Sequence, residues 1–255
     1  KIFDNIWIQP AAGDAGGSLG AALALWYIEE ENKRHVNLND DMKGSYLGTE
    51  FSQDQIEKEL DLIGAKFEIV KYDDLINITS DLLSTEKAIG WFQGRMEFGP
   101  RALGNRSIIA NPSQYEVVKK INESIKNRDF WMPFALTILK EKHRKFIKNS
   151  KNFRSDFMTM TFDTVEKNVS HISAGCHPYD KTVRPQILEK KFNPQYYSLI
   201  KEFNKITNIP ALLNTSLNLH GNPVASSLYD VVYTFKNSGL KYLYIDDKFL
   251  ISKIF

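Results

Sequence analysis

Three of the chain's eight arginines, Arg95, Arg101 and Arg106, fall in one stretch, WFQGRMEFGPRALGNRSIIANP, from Trp91 to Pro112. Each follows a residue suited to a turn or to a close backbone approach: Gly94, Pro100 and Asn105. Guanidinium groups crowded in this way repel one another unless an anion sits between them. Planar, bidentate recognition of phosphate or carboxylate is the chemistry that arginine performs best. The competing reading is of separate surface arginines in weak salt bridges, with Glu97 the nearest partner. Apolar runs flank the cluster, AIGWF before it and SIIA after it, and both read as short buried strands. Gly94, Gly99, Pro100, Gly104 and Asn105 exclude a helix between them. The stretch is therefore expected to be a loop held at both ends by sheet, presenting its guanidinium groups into one space.

Other segments carry groups of matching chemistry. Lys126 and Arg128 lie at the end of an amphipathic pattern over Gln114–Ile125, with Tyr115, Val118, Ile121 and Ile125 at helical spacing. They suit either an anion or the helix dipole. Arg184 stands in DKTVRPQ. Asn214, Thr215, Ser216 and Asn218 offer short donors and acceptors at the end of an apolar run, where small ligands of α/β sheets bind. An Asx-rich turn bonded to its own backbone reads equally well there. Asp14, in PAAGDAGGS, suits a helix start as well as a ligand role. His171, Cys176 and His177 fit no standard zinc spacing. No Ser–His or Cys–His pair stands out as a nucleophilic site. Together these residues describe an anion pocket on a mixed α/β sheet, suited to a phosphorylated substrate and a nucleotide. Its catalysis is expected to be electrostatic positioning.

The elements that must place these groups follow from periodicity. Residues 2–8 read as a strand, PAAGDAGGS as a loop, and Leu19–Glu30 as a largely buried helix. A strand, glycine loop and helix with no earlier strand to pair with implies the C-terminal portion of a longer protein, cut inside a domain. Glu31–Ser52 reads as linker. Ser52 or Asp54 should cap a helix carrying Ile56, Leu60 and Ile63 and ending at Gly64. A short strand near Phe67–Val70 and a helix over Leu75–Leu83 precede the central stretch. After it come the lysine-rich 140–151, read as a solvated face, and a strand over FMTMTF, 157–162. A helix over Pro194–Thr207, a strand over Ile209–Leu213, a helix over Tyr229–Ser238 and a final hairpin complete the order. Hydrophobic content of 42%, charge of 25% and a net charge of +2 describe an ordinary globular protein without a polybasic footprint, so neither membrane nor nucleic acid is an expected partner. The single cysteine fits a reducing cytoplasm.

GRMEFGPRALGNRSI resembles the signature of the O-carbamoyltransferases, the family of nodulation and antibiotic-tailoring carbamoyltransferases. PAAGDAGGSLGAA, the Lys/Arg-aromatic-PFA block in IKNRDFWMPFALTIL, DKTVRPQ and NTSLNLHGNP are similar to further family segments, in the family's order. Leu136, Lys181 and Leu217 depart from the family's Pro, Gly and Phe. The resemblance implies a YrdC-like mixed twisted sheet with flanking helices over 46–255. Before it, 1–45 would hold the remnant of an actin-like, sugar-kinase-like transfer domain plus linker. It implies that carbamoyl phosphate and ATP, with Mg2+, give carbamoyladenylate and pyrophosphate for transfer to a small-molecule acceptor hydroxyl. Arg95, Arg101 and Arg106 would be catalytic, with Lys126, Arg128, Arg184, Asn214, Ser216 and Asn218 binding substrate or nucleotide. Asp14 would be one ligand of an Fe2+ or similar divalent ion, completed by the upstream half of the same protein. An RNA-binding module and a non-catalytic nucleotide sensor are the alternatives.

Overall fold

Strict alternation along the central strands decides the architecture. Ile89 and Trp91 enter one core with Ile109, Leu212 and Tyr244, while Phe92 enters another with Ile108, Ala110, Leu213, Leu243 and Ile245. Every one of these residues is buried, so both faces of the sheet must be covered. The structure, a computed structural model, describes residues 3, 6–37, 40–85, 87–127, 129 and 132–251.

The strands are β1 (Glu68–Ile69), β2 (Ile89–Phe92), β3 (Arg106–Ala110), β4 (Ala135–Leu139), β5 (Pro185–Leu188), β6 (Ala211–Ser216), β7 (Tyr242–Ile245) and β8 (Lys248–Ile251). They form one mixed sheet in the order β1-β8-β7-β2-β3-β6-β4-β5. The pairs β2–β7 and β4–β5 are parallel and the others antiparallel. The α-helices of the described residues are α1 (Asp14–Ala24), α2 (Gln53–Ile63), α3 (Tyr72–Ser84), α4 (Tyr115–Ile121), α5 (Pro194–Thr207) and α6 (Leu228–Lys236). The residues of α3 and α5 fill the Trp91 face, and those of α2, α4 and α6 fill the Phe92 face.

Local chemistry sets the helix ends. A capping box of Ser52 and Gln55 opens α2, and left-handed Gly64 closes it. Ser227 and Asp230 repeat the box on α6. On α5, the Asn193 side chain accepts from the Tyr196 amide, Pro194 occupies the first turn, and left-handed Asn208 ends the helix.

Three expectations are corrected. Residues 6–9 form no strand, and Ile6 and Trp7 are exposed; the rest of the expected strand, Phe3 apart, lies outside the described residues. The helix expected over Leu19–Glu30 begins at Asp14, widens to a π-helical turn over Leu25–Glu29 and buries no residue. Its apolar side chains have no facing layer among the described residues, and composition alone buries nothing. The run 157–162 makes only a single bridge, Phe162 to Val183, and Met158 is left-handed, with φ +55°. Within the expected linker, a buried turn at Lys43–Ser45 precedes Tyr46. Ser45 and Tyr46, on either side of the expected 45/46 boundary, both bond to the loop between β2 and β3.

That loop tolerates little change. Gly104 has φ +106°, and a Cβ there would lie 2.1 Å from Cδ1 of Tyr196. We expect Gly104→Ala to destabilise the fold by about 2–4 kcal/mol, from overpacking added to backbone strain. Urea unfolding measures this; an unchanged midpoint would mean that Tyr196 does not fix the loop.

Candidate functional site

The β2–β3 loop is built around a carboxylate. Glu97 is buried, and its Oε1 accepts from the backbone amides of Leu103 (2.6 Å), Asn105 (2.8 Å) and Arg106 (3.3 Å). Sequence reasoning saw Glu97 only as a salt-bridge partner, whereas its principal bonds are to backbone. Tyr46 donates its hydroxyl to Leu103 O (2.8 Å), and Gln186 Nε2 donates to the same carbonyl (3.1 Å). Asn193 Nδ2 donates to Asn105 Oδ1 at 2.8 Å. At the other end of the loop, Asp246 in the β7–β8 turn accepts from the Gly94 amide at 2.9 Å. Burial raises the pKa of Tyr46 and Tyr196 well above the ordinary phenol value, with the Glu97 charge adding to it.

With the loop held, the three arginines separate. Arg106 is fully buried, its guanidinium 3.5 Å from the centroid of the Phe92 ring. It donates to the carbonyls of Gln93 (2.8 Å), Asn105 (3.0 Å), Gly94 (3.0 Å) and Thr49 (3.2 Å). Desolvation draws its pKa down to about 10, against the pull of Glu97, Asp246 and Glu50, so it remains charged. Arg95 lies at the surface, paired with Glu50 and donating to Gly48 O. Arg101 lines a cavity. The expectation of three guanidinium groups in one space is thus corrected. Both terminal nitrogens of Arg106 are occupied in holding backbone, and Arg95 is occupied in a surface pair.

The cavity measures about 60 Å³ and is walled by Arg101, Arg184, Asn214, Thr215, Ser216, Ala102, Pro133, Ala135 and Met158, among others. It lies where β4 and β5 begin and β6 ends. Among the described residues, no hydrogen bond or ion pair holds Arg101. Arg101 is exposed as a residue, yet the protein around its guanidinium draws its pKa down; it stays a full cation. Arg184 comes from the turn before β5. The volume suits a phosphate-sized group and lies far below the ~300–1,000 Å³ of pockets that enclose larger ligands.

Beside this cavity the buried Lys126 ammonium bonds to Ser216 O, to Ser216 Oγ (3.2 Å), to Asn218 O (3.0 Å) and to Asn218 Oδ1 (2.6 Å). Lys126, Ser216 and Asn218 therefore form one unit, with Ser216 joining it to the cavity wall. Arg128 lies outside the described residues. Asp14 is the exposed first residue of α1 and is not among the residues that line the cavity. Among the described residues no three His, Cys, Asp or Glu side chains gather to hold a metal ion. A larger cleft, about 760 Å³, opens at the opposite ends of β4 and β5, but its Lys140 and Arg154 are paired with Glu189 and Asp156.

The family described as Carbamoyltransferase C-terminus matches residues 80–253, a range that holds every residue lining the cavity. The chain belongs to the carbamoyltransferase family. Nodulation protein NolO of Bradyrhizobium diazoefficiens is 37% identical over 253 residues, covering 99% of this chain and 45% of NolO. The 3'-hydroxymethylcephem-O-carbamoyltransferase of Amycolatopsis lactamdurans is 29% identical over 246 residues, 96% of this chain and 44% of the enzyme. The chain thus spans under half the length of these two relatives. A crystal structure of full-length HypF in a phosphate- and nucleotide-bound form aligns with 72% of this chain and 22% of HypF, at 15% identity and a TM-score of 0.46. Among the described residues no helix is long and apolar enough to cross a membrane.

Arg106 and Arg101 should respond oppositely to truncation. Arg106→Ala leaves Glu97 uncompensated and four carbonyls without their donor, at a cost of about 3–5 kcal/mol. Arg101→Ala should stay within about 0.5 kcal/mol of the parent, as for an untied surface side chain. Chemical unfolding of both variants checks this; equal stabilities would return Arg106 to the ligand-binding set.

Proposed function

We propose that this chain forms carbamoyladenylate from carbamoyl phosphate and Mg2+-bound ATP, as part of an O-carbamoyltransferase. The observation that carries the reading is the cavity between Arg101 and Arg184, an anion site of phosphate size inside a chain of carbamoyltransferase kinship. Two guanidinium groups offer planar donors to a phosphate, and Arg101 has no hydrogen bond or ion pair among the described residues. An adenine nucleotide is too large for the cavity, so it must extend past it. The Lys126–Ser216–Asn218 unit meets the cavity wall at Ser216 and would supply positive charge toward its phosphates.

Atom balance gives the steps. Water splits carbamoyl phosphate into carbamate and orthophosphate. A carbamate oxygen then attacks the α-phosphorus of ATP and expels pyrophosphate, leaving carbamoyladenylate. An acceptor hydroxyl finally attacks the carbamoyl carbon and expels AMP. In the first two steps the protein's share is to neutralise phosphate charge and to align the attacking oxygen. Magnesium would enter as the counterion of the clustered phosphates of ATP. On the family resemblance, Asp14 would give a carboxylate to a divalent-metal site in the whole protein. Among the described residues its surroundings supply no further His, Cys, Asp or Glu cluster, and no step is derived through such a metal.

The test is pyrophosphate release. The 255-residue chain, given ATP, Mg2+ and carbamoyl phosphate, should release pyrophosphate and orthophosphate, and without carbamoyl phosphate it should release no pyrophosphate. Arg101→Ala and Arg184→Ala should each weaken carbamoyl phosphate binding about tenfold or more, the loss of a charge-assisted contact worth ~1.5–3 kcal/mol. Binding of ATP without turnover under these conditions would make the chain a nucleotide sensor instead.

A further inference from the structure

One residue of the cavity wall, Asn214, only 1% exposed, carries a buried polar atom, Oδ1, that has no hydrogen-bond partner among the described residues. Its orientation is dictated by its neighbours. Gln186 Nε2 donates to Leu103 O (3.1 Å), so Gln186 Oε1 is the acceptor for the Thr137 hydroxyl (2.9 Å). Having given its proton to Gln186, Thr137 Oγ1 can only accept from Asn214 Nδ2 (3.1 Å). The second Nδ2 hydrogen goes to the Ala102 carbonyl at 3.2 Å. Flipping the amide would set Oδ1 against two acceptors. Oδ1 is therefore a fixed, desolvated acceptor, and buried acceptors of this kind normally have a donor.

We infer that Asn214 is the specificity-determining residue for the carbamoyl group, its Oδ1 accepting an N–H of the carbamoyl amide. The inference rests on the carbamoyl phosphate reading above and deepens it. Arg101 and Arg184 bring donors only and so recognise an anion. Asn214 adds an acceptor on the same wall of a cavity of about 60 Å³. A ligand that satisfies both within that space carries a phosphate and an N–H donor close together. Carbamoyl phosphate does so, and acetyl phosphate, with methyl in place of the amino group, leaves Oδ1 without a donor. The remaining unpaired buried side-chain atoms, such as Glu97 Oε2 and the Tyr196 hydroxyl, belong to residues off the cavity wall.

Calorimetric titration of the 255-residue chain with carbamoyl phosphate and with acetyl phosphate tests this. The parent chain should favour carbamoyl phosphate by about tenfold or more, the size expected of a buried hydrogen bond made to one ligand and lost to the other. Asn214→Ala should bring that ratio close to one, whereas Arg184→Ala should weaken both ligands alike and keep the ratio. Equal affinities in the parent chain would overturn the role of Asn214 while leaving the anion site standing, whether or not Asn214→Ala folds. Binding of neither ligand would overturn the carbamoyl phosphate reading, and this inference with it. A ratio kept in Asn214→Ala would also refute it.

Discussion

A carboxylate enclosed by its own loop is the constraint on which this site depends. The β2–β3 loop runs through glycines at φ +42°, +133° and +106°, conformations that an L side chain rarely adopts. Glu97 holds that loop by drawing three amides, those of Leu103, Asn105 and Arg106, onto a single oxygen. The buried Arg106 guanidinium, under the electrostatic pull of Glu97, Asp246 and Glu50, binds four carbonyls from the same region. Together the two side chains tie the loop into one body. Arg101 rides on that body between Gly99 and Leu103. Its position is therefore set by groups that need touch no substrate.

Division of labour among like residues follows from the order in which donors are satisfied. Arg106, next to the strand, meets carbonyls that the turn leaves unpaired, and Phe92 lies beneath its plane. Arg95 meets Glu50 at the surface. Arg101 follows Pro100 in the middle of the loop, where no acceptor among the described residues reaches it. Residues of one type within a single motif thus split into scaffold and site. The same division holds for the Lys126 ammonium, which organises Ser216 and Asn218, while Arg184 and Asn214 face the cavity.

Much of the fold was legible because its signals are local or periodic. The apolar runs AIGWF and SIIA became β2 and β3, and Ser52, Gly64 and Pro194 marked helix ends through capping chemistry that needs no tertiary partner. The convergence of Arg101, Arg184, Asn214 and Ser216 was also readable, since each stands in a loop or toward the end of a strand pattern. What was not legible depended on partners far away in sequence. Glu97 reads as a surface charge until its amides are seen to curl around it. Residues 31–52 read as linker because Tyr46 finds Leu103 only in three dimensions. A usable signal did exist: Thr137 inside ALTIL and Gln186 inside RPQIL are polar residues in otherwise apolar strands, and buried polar groups require partners. The N-terminal helix shows the opposite failure. Its apolar sequence predicts burial, but burial needs a second surface, and sequence pattern cannot supply one.

The buried polar network explains how a cavity with two cations can also carry an exact acceptor. Asn193, Gln186, Thr137 and Asn214 come from α5, β5, β4 and β6, and each spends its donors on a neighbour that is itself fixed. Such a chain has one consistent arrangement of hydrogens, because reversing any amide would set acceptor against acceptor. The ends of the network lie at Glu97's loop and at the cavity wall, so the loop that positions Arg101 also orients Asn214. On the proposed reading, charge recognition and amide recognition would be coupled through protein rather than through ligand. An electrostatic site gains rate from donors and acceptors that do not reorganise as charge moves. The apolar layers on both faces of the sheet hold the strands, the strands hold the network, and the network leaves Asn214 Oδ1, on a residue of the cavity wall, without a donor among the described residues.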